Sequence, residues 1–180
     1  LQALTGAGFS AADAAKALAD DKVDPATIAT ALRSAQLTAA NYSAALKQAG
    51  IEPADIATQL KVQGRNYNQI ATELKADYYD LTTILEALKT SGADLAAQTA
   101  ALKSLGMKTP EVIAMLLKQK HADGDIAKVF MPANTQPAPA CDALREAGWD
   151  WKRVLAALRA AGSPLPTILT SLQAKHAPVA

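Results

Sequence analysis

The chain has 180 residues, half of them hydrophobic yet only 4% aromatic. Its 42 alanines and 22 leucines argue against sheets, which draw on β-branched and aromatic residues, and for short helices whose backbones approach closely. The balance of 18 basic against 17 acidic residues excludes a strongly basic nucleic-acid binder and an acidic tail. A single cysteine, Cys141, excludes an internal disulfide framework and a cysteine-based zinc cluster.

No apolar stretch reaches the ~18–20 residues that a membrane span needs. The chain opens on Leu1 with neither an initiating Met nor a signal-peptide pattern, so a processed chain or a segment of a longer one is expected.

Leucines recur at Leu4, Leu18, Leu32, Leu46, Leu60, Leu74, Leu88, Leu102, Leu116, Leu144, Leu158 and Leu172. Each stands fourteen positions after the last, apart from one double step, and Phe130 fills that gap. Glycines follow four positions later at Gly8, Gly50, Gly64, Gly92, Gly106, Gly148 and Gly162. A fixed period of this kind is the signature of a repeat architecture.

In chain order, Leu1–Gly8 matches the back half of a unit. The units that follow open on Ser10, Asp24, Thr38, Glu52, Asn66, Asp80 and Asp94. All but Glu52 carry side chains suited to accept from the free N–H groups of a first helical turn. Glu52 is followed by Pro53, whose missing N–H costs nothing at the first helical position. Asp13, Asp55, Gln69 and Glu111 stand three positions after the cap, as in a capping box or as acids facing the helix dipole. Apolar residues before the cap (Phe9, Val23, Leu37, Ile51, Tyr79, Met107, Trp149) are placed to staple to Ile28, Ile56, Ile84 or Val154 five positions on. A Lys or Arg follows most of the leucines, at the helix C-terminus, and glycine then permits a left-handed cap. Each predicted helix is ~9–11 residues, roughly 15 Å long. Helices that short are marginal alone, so their apolar stripes must pack on one another.

The pattern breaks at residues 121–140, HADGDIAKVFMPANTQPAPA. Gly124 enters the first turn of a helix, and Phe130 replaces the leucine. Pro132, Pro137 and Pro139 are expected to stop that helix early and delay the next, leaving a short helix from about Ala140 to Ala147. A bend, an interface loop, a ligand edge or an inert corner all fit this segment. The unit then resumes at Asp150, and Ala177–Ala180 falls where another would open.

His121, Asp123 and Asp125 alternate like part of a calcium loop, but the rest of the six to eight oxygen ligands is missing. Cys141 lies near a helix start but in the apolar register, as a buried core thiol would. His176 has no partner nearby in sequence. No glycine-rich phosphate loop and no nucleophile constellation occurs. No catalytic, cofactor or metal site is therefore expected, and no enzyme. Two surface features are candidates. Arg33, Lys47, Lys61, Lys75, Lys89, Lys103, Arg145 and Arg159 share one register position; stacked units would set them as a stripe for a polyanion, or as ordinary dipole-complementing charges. Tyr67, Tyr78 and Trp151 are candidate aromatic contacts for a sugar or a partner protein.

The run Gly-apolar-(Ser/Thr/Asp)-x-x-x-Ile-Ala-x-x-Leu-Lys, as in Gly50–Lys61 and Gly64–Lys75, resembles the alanine-rich helical repeats of large bacterial proteins, some of them surface-associated. The resemblance is to α-solenoid proteins as a class. It matches neither the 34-residue tetratricopeptide nor the 33-residue ankyrin signature. It implies a scaffold or surface role, extracellular or at the cell surface, and assigns no site residue. The expected fold is an all-α solenoid of about 12–13 short helices with a 14-residue repeat, a single array over residues 1–180. The expected function is a structural spacer or assembly module of a larger bacterial protein, binding protein by self-assembly or otherwise. The alternative is a scaffold that grips a protein or a polyanion.

Overall fold

The leucine period becomes a helix period. The computed structural model describes residues 8–35, 37–131 and 137–174. Leu4, Pro132, Asn134, His176 and the two chain ends lie outside the described residues. Among the described residues there are twelve helices and no strand: α1 (Ala11–Asp20), α2 (Pro25–Ser34), α3 (Ala39–Gln48), α4 (Pro53–Val62), α5 (Tyr67–Ala76), α6 (Leu81–Thr90), α7 (Leu95–Ser104), α8 (Thr109–Lys118), α9 (Asp123–Val129), α10 (Ala138–Glu146), α11 (Trp151–Ala160) and α12 (Leu165–Ala174). All are equal in length, at 10 residues, except α9 with 7 and α10 with 9. Among the described residues, no helix is long and apolar enough to cross a membrane.

Both ends of the unit are fixed by local chemistry. Asp24 and Asp80 each accept from two N–H groups of the first turn, and Ser10, Thr38, Asn66 and Asp150 each accept from one. Asn66 and Gln69 form a reciprocal capping box, both bonds 3.0 Å. At the other end the carbonyl of the repeated leucine accepts from the N–H five positions on. Examples are Ile51 to Leu46 at 3.1 Å, Ala93 to Leu88 at 2.9 Å and Trp149 to Leu144 at 3.1 Å. This Schellman closure requires a left-handed residue between helix and staple. Glycine supplies it in most units, for example Gly50 at φ 71°, and Lys22, Tyr78 and Lys120 adopt the same conformation at φ 60–63°.

The chain divides into two compact units, Leu1–Ala101 and Leu102–Ala180, with the boundary inside α7. In the first unit α1 packs on α3, α3 on α5 and α4 on α6, besides contacts between sequential helices. In the second, α8 packs on α10, α9 on α11 and α10 on α12, again with sequential neighbours. Within each unit, helices thus pack on sequential neighbours and, in the pairs named, on the helix two along. The core is the Ile/Val position, the small residue after it, and the leucine. Ile56, Ala57 and Leu60 of α4 and Ile70, Ala71 and Leu74 of α5 are fully buried.

Two substitutions at the Ile/Val position place polar groups in the core. Tyr42 is buried and its hydroxyl donates to the Ala29 carbonyl at 3.3 Å. Gln98 donates through Nε2 to the Ala93 carbonyl at 2.9 Å, while its Oε1 is buried without a partner.

The irregular segment differs in part from expectation. Helix α9 ends at Val129, and α10 begins at Ala138, earlier than Ala140. Pro137 caps α10 and Pro139 sits at its second position, where neither proline forfeits a helical hydrogen bond. These two prolines thus open the helix, which starts one position behind the 14-residue phase, so the expected delay is present but slight.

Candidate interaction surface

The cation ladder is largely occupied within the protein. Lys47 Nζ stands 4.5 Å above the Tyr79 ring and donates to the Asp77 carbonyl. Lys61 Nζ lies 4.6 Å from the Tyr67 ring centre, bonds the Tyr67 hydroxyl, and donates to the Ser91 carbonyl at 2.9 Å. Both carbonyls belong to the residue that closes the helix two repeats on, so the ammonium meets the negative end of that helix. Tyr67 adds its own hydroxyl to the Ser91 carbonyl at 3.2 Å. Lys103 lies 4.6 Å from the Phe130 ring and Arg145 4.7 Å from the Trp151 ring, both cation–π distances. Arg33 donates to Thr30 at 3.2 Å. Lys75, Lys89 and Arg159 make no such contact among the described residues.

The three aromatic candidates separate. Tyr67 and Trp151 are half-buried beneath their cations. Tyr78 is 92% exposed, on a left-handed backbone. Beside it, Glu73 and Asp77 form a half-buried acidic pair at the end of α5. Burial pushes both carboxyls above the ordinary range, Arg65 pulls Glu73 back in part, and Ser43 and Lys47 do so for Asp77. Arg65 reaches Glu73 at 3.4 Å.

The break in the pattern is an interhelical clasp. Arg153 of α11 holds Asp123 of α9 through two bonds of 2.8 Å, and its guanidinium lies 3.7 Å from the Trp149 ring centre. That pairing lowers the Asp123 carboxyl below its ordinary value. Gly124 belongs to the same contact: a Cβ there would stand 2.7 Å from the Ala160 Cβ. Met131 accepts from the Ser163 hydroxyl at 3.2 Å. Asp123 is thus a partner of Arg153, while His121 is half-buried with Nε2 unpaired. Among the described residues, no three metal-ligating side chains converge. Cys141 is fully buried.

A cavity of ≈ 400 Å³ adjoins the break, lined by Lys103, Thr109, Phe130, Asp142 and Glu146 among others. Its charged side chains are exposed, so water screens them.

The residues that sequence reasoning missed are Asp123 and Arg153 as a pair, and Asp77 and Ser91 as acceptors. The signal was present as a shared sequence separation of 30, which is two repeats plus two positions. The chain matches no protein-family model and no curated protein.

Proposed function

We propose that the chain is a structural or assembly module without catalytic function, a stretch of α-solenoid belonging to a larger bacterial surface or secreted protein. One observation supports this most: inside each unit, sequential helices pack together and several, such as α1 on α3 and α9 on α11, also pack on the helix two repeats later, as a repeat array does to bury its stripes. The unit repeats its caps, its leucine carbonyl closure and its cation with little left over for chemistry. The compartment and the bacterial context rest on the likeness of the repeat to alanine-rich arrays.

The occupied ladder weighs against the alternative of a polyanion-binding scaffold, because a cation held by a carbonyl and a ring must leave both to grip a phosphate. The test is retention on heparin and on DNA as salt is varied. The structural reading expects negligible retention even at ~20 mM salt, far below the concentrations at which phosphate binders release. Strong retention that falls steeply with salt, and that Lys75→Glu with Lys89→Glu abolishes, would establish the polyanion scaffold instead.

A further inference from the structure

Among the described residues the buried polar side chains, tyrosine aside, are Ser43, Gln98, Thr99 and Ser171. Two of these are satisfied: the Ser43 hydroxyl donates to the Ala40 carbonyl at 3.2 Å and the Ser171 hydroxyl to the Thr167 carbonyl at 3.0 Å. The other two are consecutive on α7, at the Ile/Val position and the small position after it. Gln98 is 2% exposed and Thr99 5%, yet Gln98 Oε1 and Thr99 Oγ1 both lack a hydrogen-bond partner among the described residues. An unmade buried bond costs the full desolvation of its group, a factor of about ten or more in an opening equilibrium.

Apolar burial falls in the same helix. Leu102 is the one large aliphatic side chain that α7 fully buries, where α6 buries Ile84, Leu85 and Leu88 and α5 buries Ile70 and Leu74. A ten-residue helix is marginal alone and depends on such burial to stay formed. The boundary between the two compact units also falls within α7, between Ala101 and Leu102.

We propose that α7 is a built-in point of local opening, a helix that unfolds on its own while α5, α6, α8 and α9 stay closed. Opening releases Gln98 Oε1 and Thr99 Oγ1 to water, which satisfies both, and gives up little apolar burial beyond Leu102. The closed helix keeps its Asp94 cap, which accepts from the Ala97 N–H at 2.7 Å, and the Gln98 Nε2 bond to the Ala93 carbonyl. The device is therefore two-state, formed most of the time and poised to open. In a spacer such a helix gives way first, and its ten residues lengthen by about 20 Å in passing from helix to extended chain. The lengthening rests on the spacer reading above, and the opening itself does not.

Native-state hydrogen exchange of the full 180-residue chain, read amide by amide, provides the test. The amides of residues 98–102 are expected to exchange about tenfold or more faster than those of residues 70–74 and 84–88. Their rates are expected to stay flat in low denaturant, as local opening exposes little surface. A second arm restores the residues of other units with Gln98→Ile and Thr99→Ala together, circular dichroism confirming the fold. That variant is expected to slow exchange in α7 to the rates of α6 and to leave α5 and α6 unchanged. Wild-type α7 amides as slow as those of α6 overturn the proposal, and would mean that an internal water satisfies both atoms; the spacer reading would stand. Fast exchange in α7 that persists in the double variant also overturns it, because the polar pair is then not the cause.

Discussion

The Cβ that Gly124 lacks decides how closely α9 lies against α11. Adding it sets a methyl 2.7 Å from the Ala160 Cβ and 3.0 Å from the Ala160 carbonyl carbon, neither of which can swing away. Overpacking of this kind costs ~1–3 kcal/mol, while alanine recovers ~1 kcal/mol of helix propensity. Gly124→Ala is therefore expected to destabilise by up to about 2 kcal/mol in denaturant melts, and Ala160→Gly is expected to rescue it in part. The acidic pair on α5 gives a second outcome at this scale. The folded state holds the protons of Glu73 and Asp77 more tightly than the unfolded chain does, so their contribution falls as pH rises from ordinary carboxylate values through the raised folded ones. Asp24 and Asp123 act oppositely, losing stabilisation as pH falls toward their lowered values. Asp77→Asn is expected to raise the melting midpoint at pH ~7 and to leave it little changed at pH ~3, where the carboxyl is neutral in both states. Equal shifts at both pH values would assign the effect to packing instead.

At the scale of the helix, the unit was legible in the sequence because its determinants are local. Ser10, Asp24, Asn66 and Asp150 announce the starts, and the leucine followed four positions later by glycine announces the end. The partner of each helix was not legible. A period of fourteen fixes what every helix offers but not whether its stripe meets the next helix or the one after, and that choice places Asp77 under Lys47 and Ser91 under Lys61. The same gap hid Arg153 from Asp123, so a helix contact at the break was open to being taken for an acidic loop. Helix-end capping by a lysine two repeats away has a measurable consequence. Lys61→Met removes an ammonium from the Ser91 carbonyl and the Tyr67 ring, with an expected cost of about 0.5–1 kcal/mol because the group is exposed to water. Lys89→Met, at the same register position but without such contacts, is expected to stay within ~0.5 kcal/mol of the parent. Thermal melts of the two variants side by side decide whether the ladder is structural.

At the scale of the molecule, the proposed array makes stability a sum of similar helix-on-helix terms rather than the property of one closed core. Removing two whole repeats should then shorten the protein without dismantling it. Deleting Ile51–Tyr78 takes out α4 and α5 and joins α3 to α6 in the same 14-residue phase and the same alternation. The most direct test of the array is the circular dichroism and thermal melt of that two-repeat deletion. The expected result is unchanged helicity per residue and a single cooperative transition at a somewhat lower midpoint. Loss of helicity, or a broad non-cooperative melt, would contradict the account and indicate a closed bundle whose helices cannot be spared.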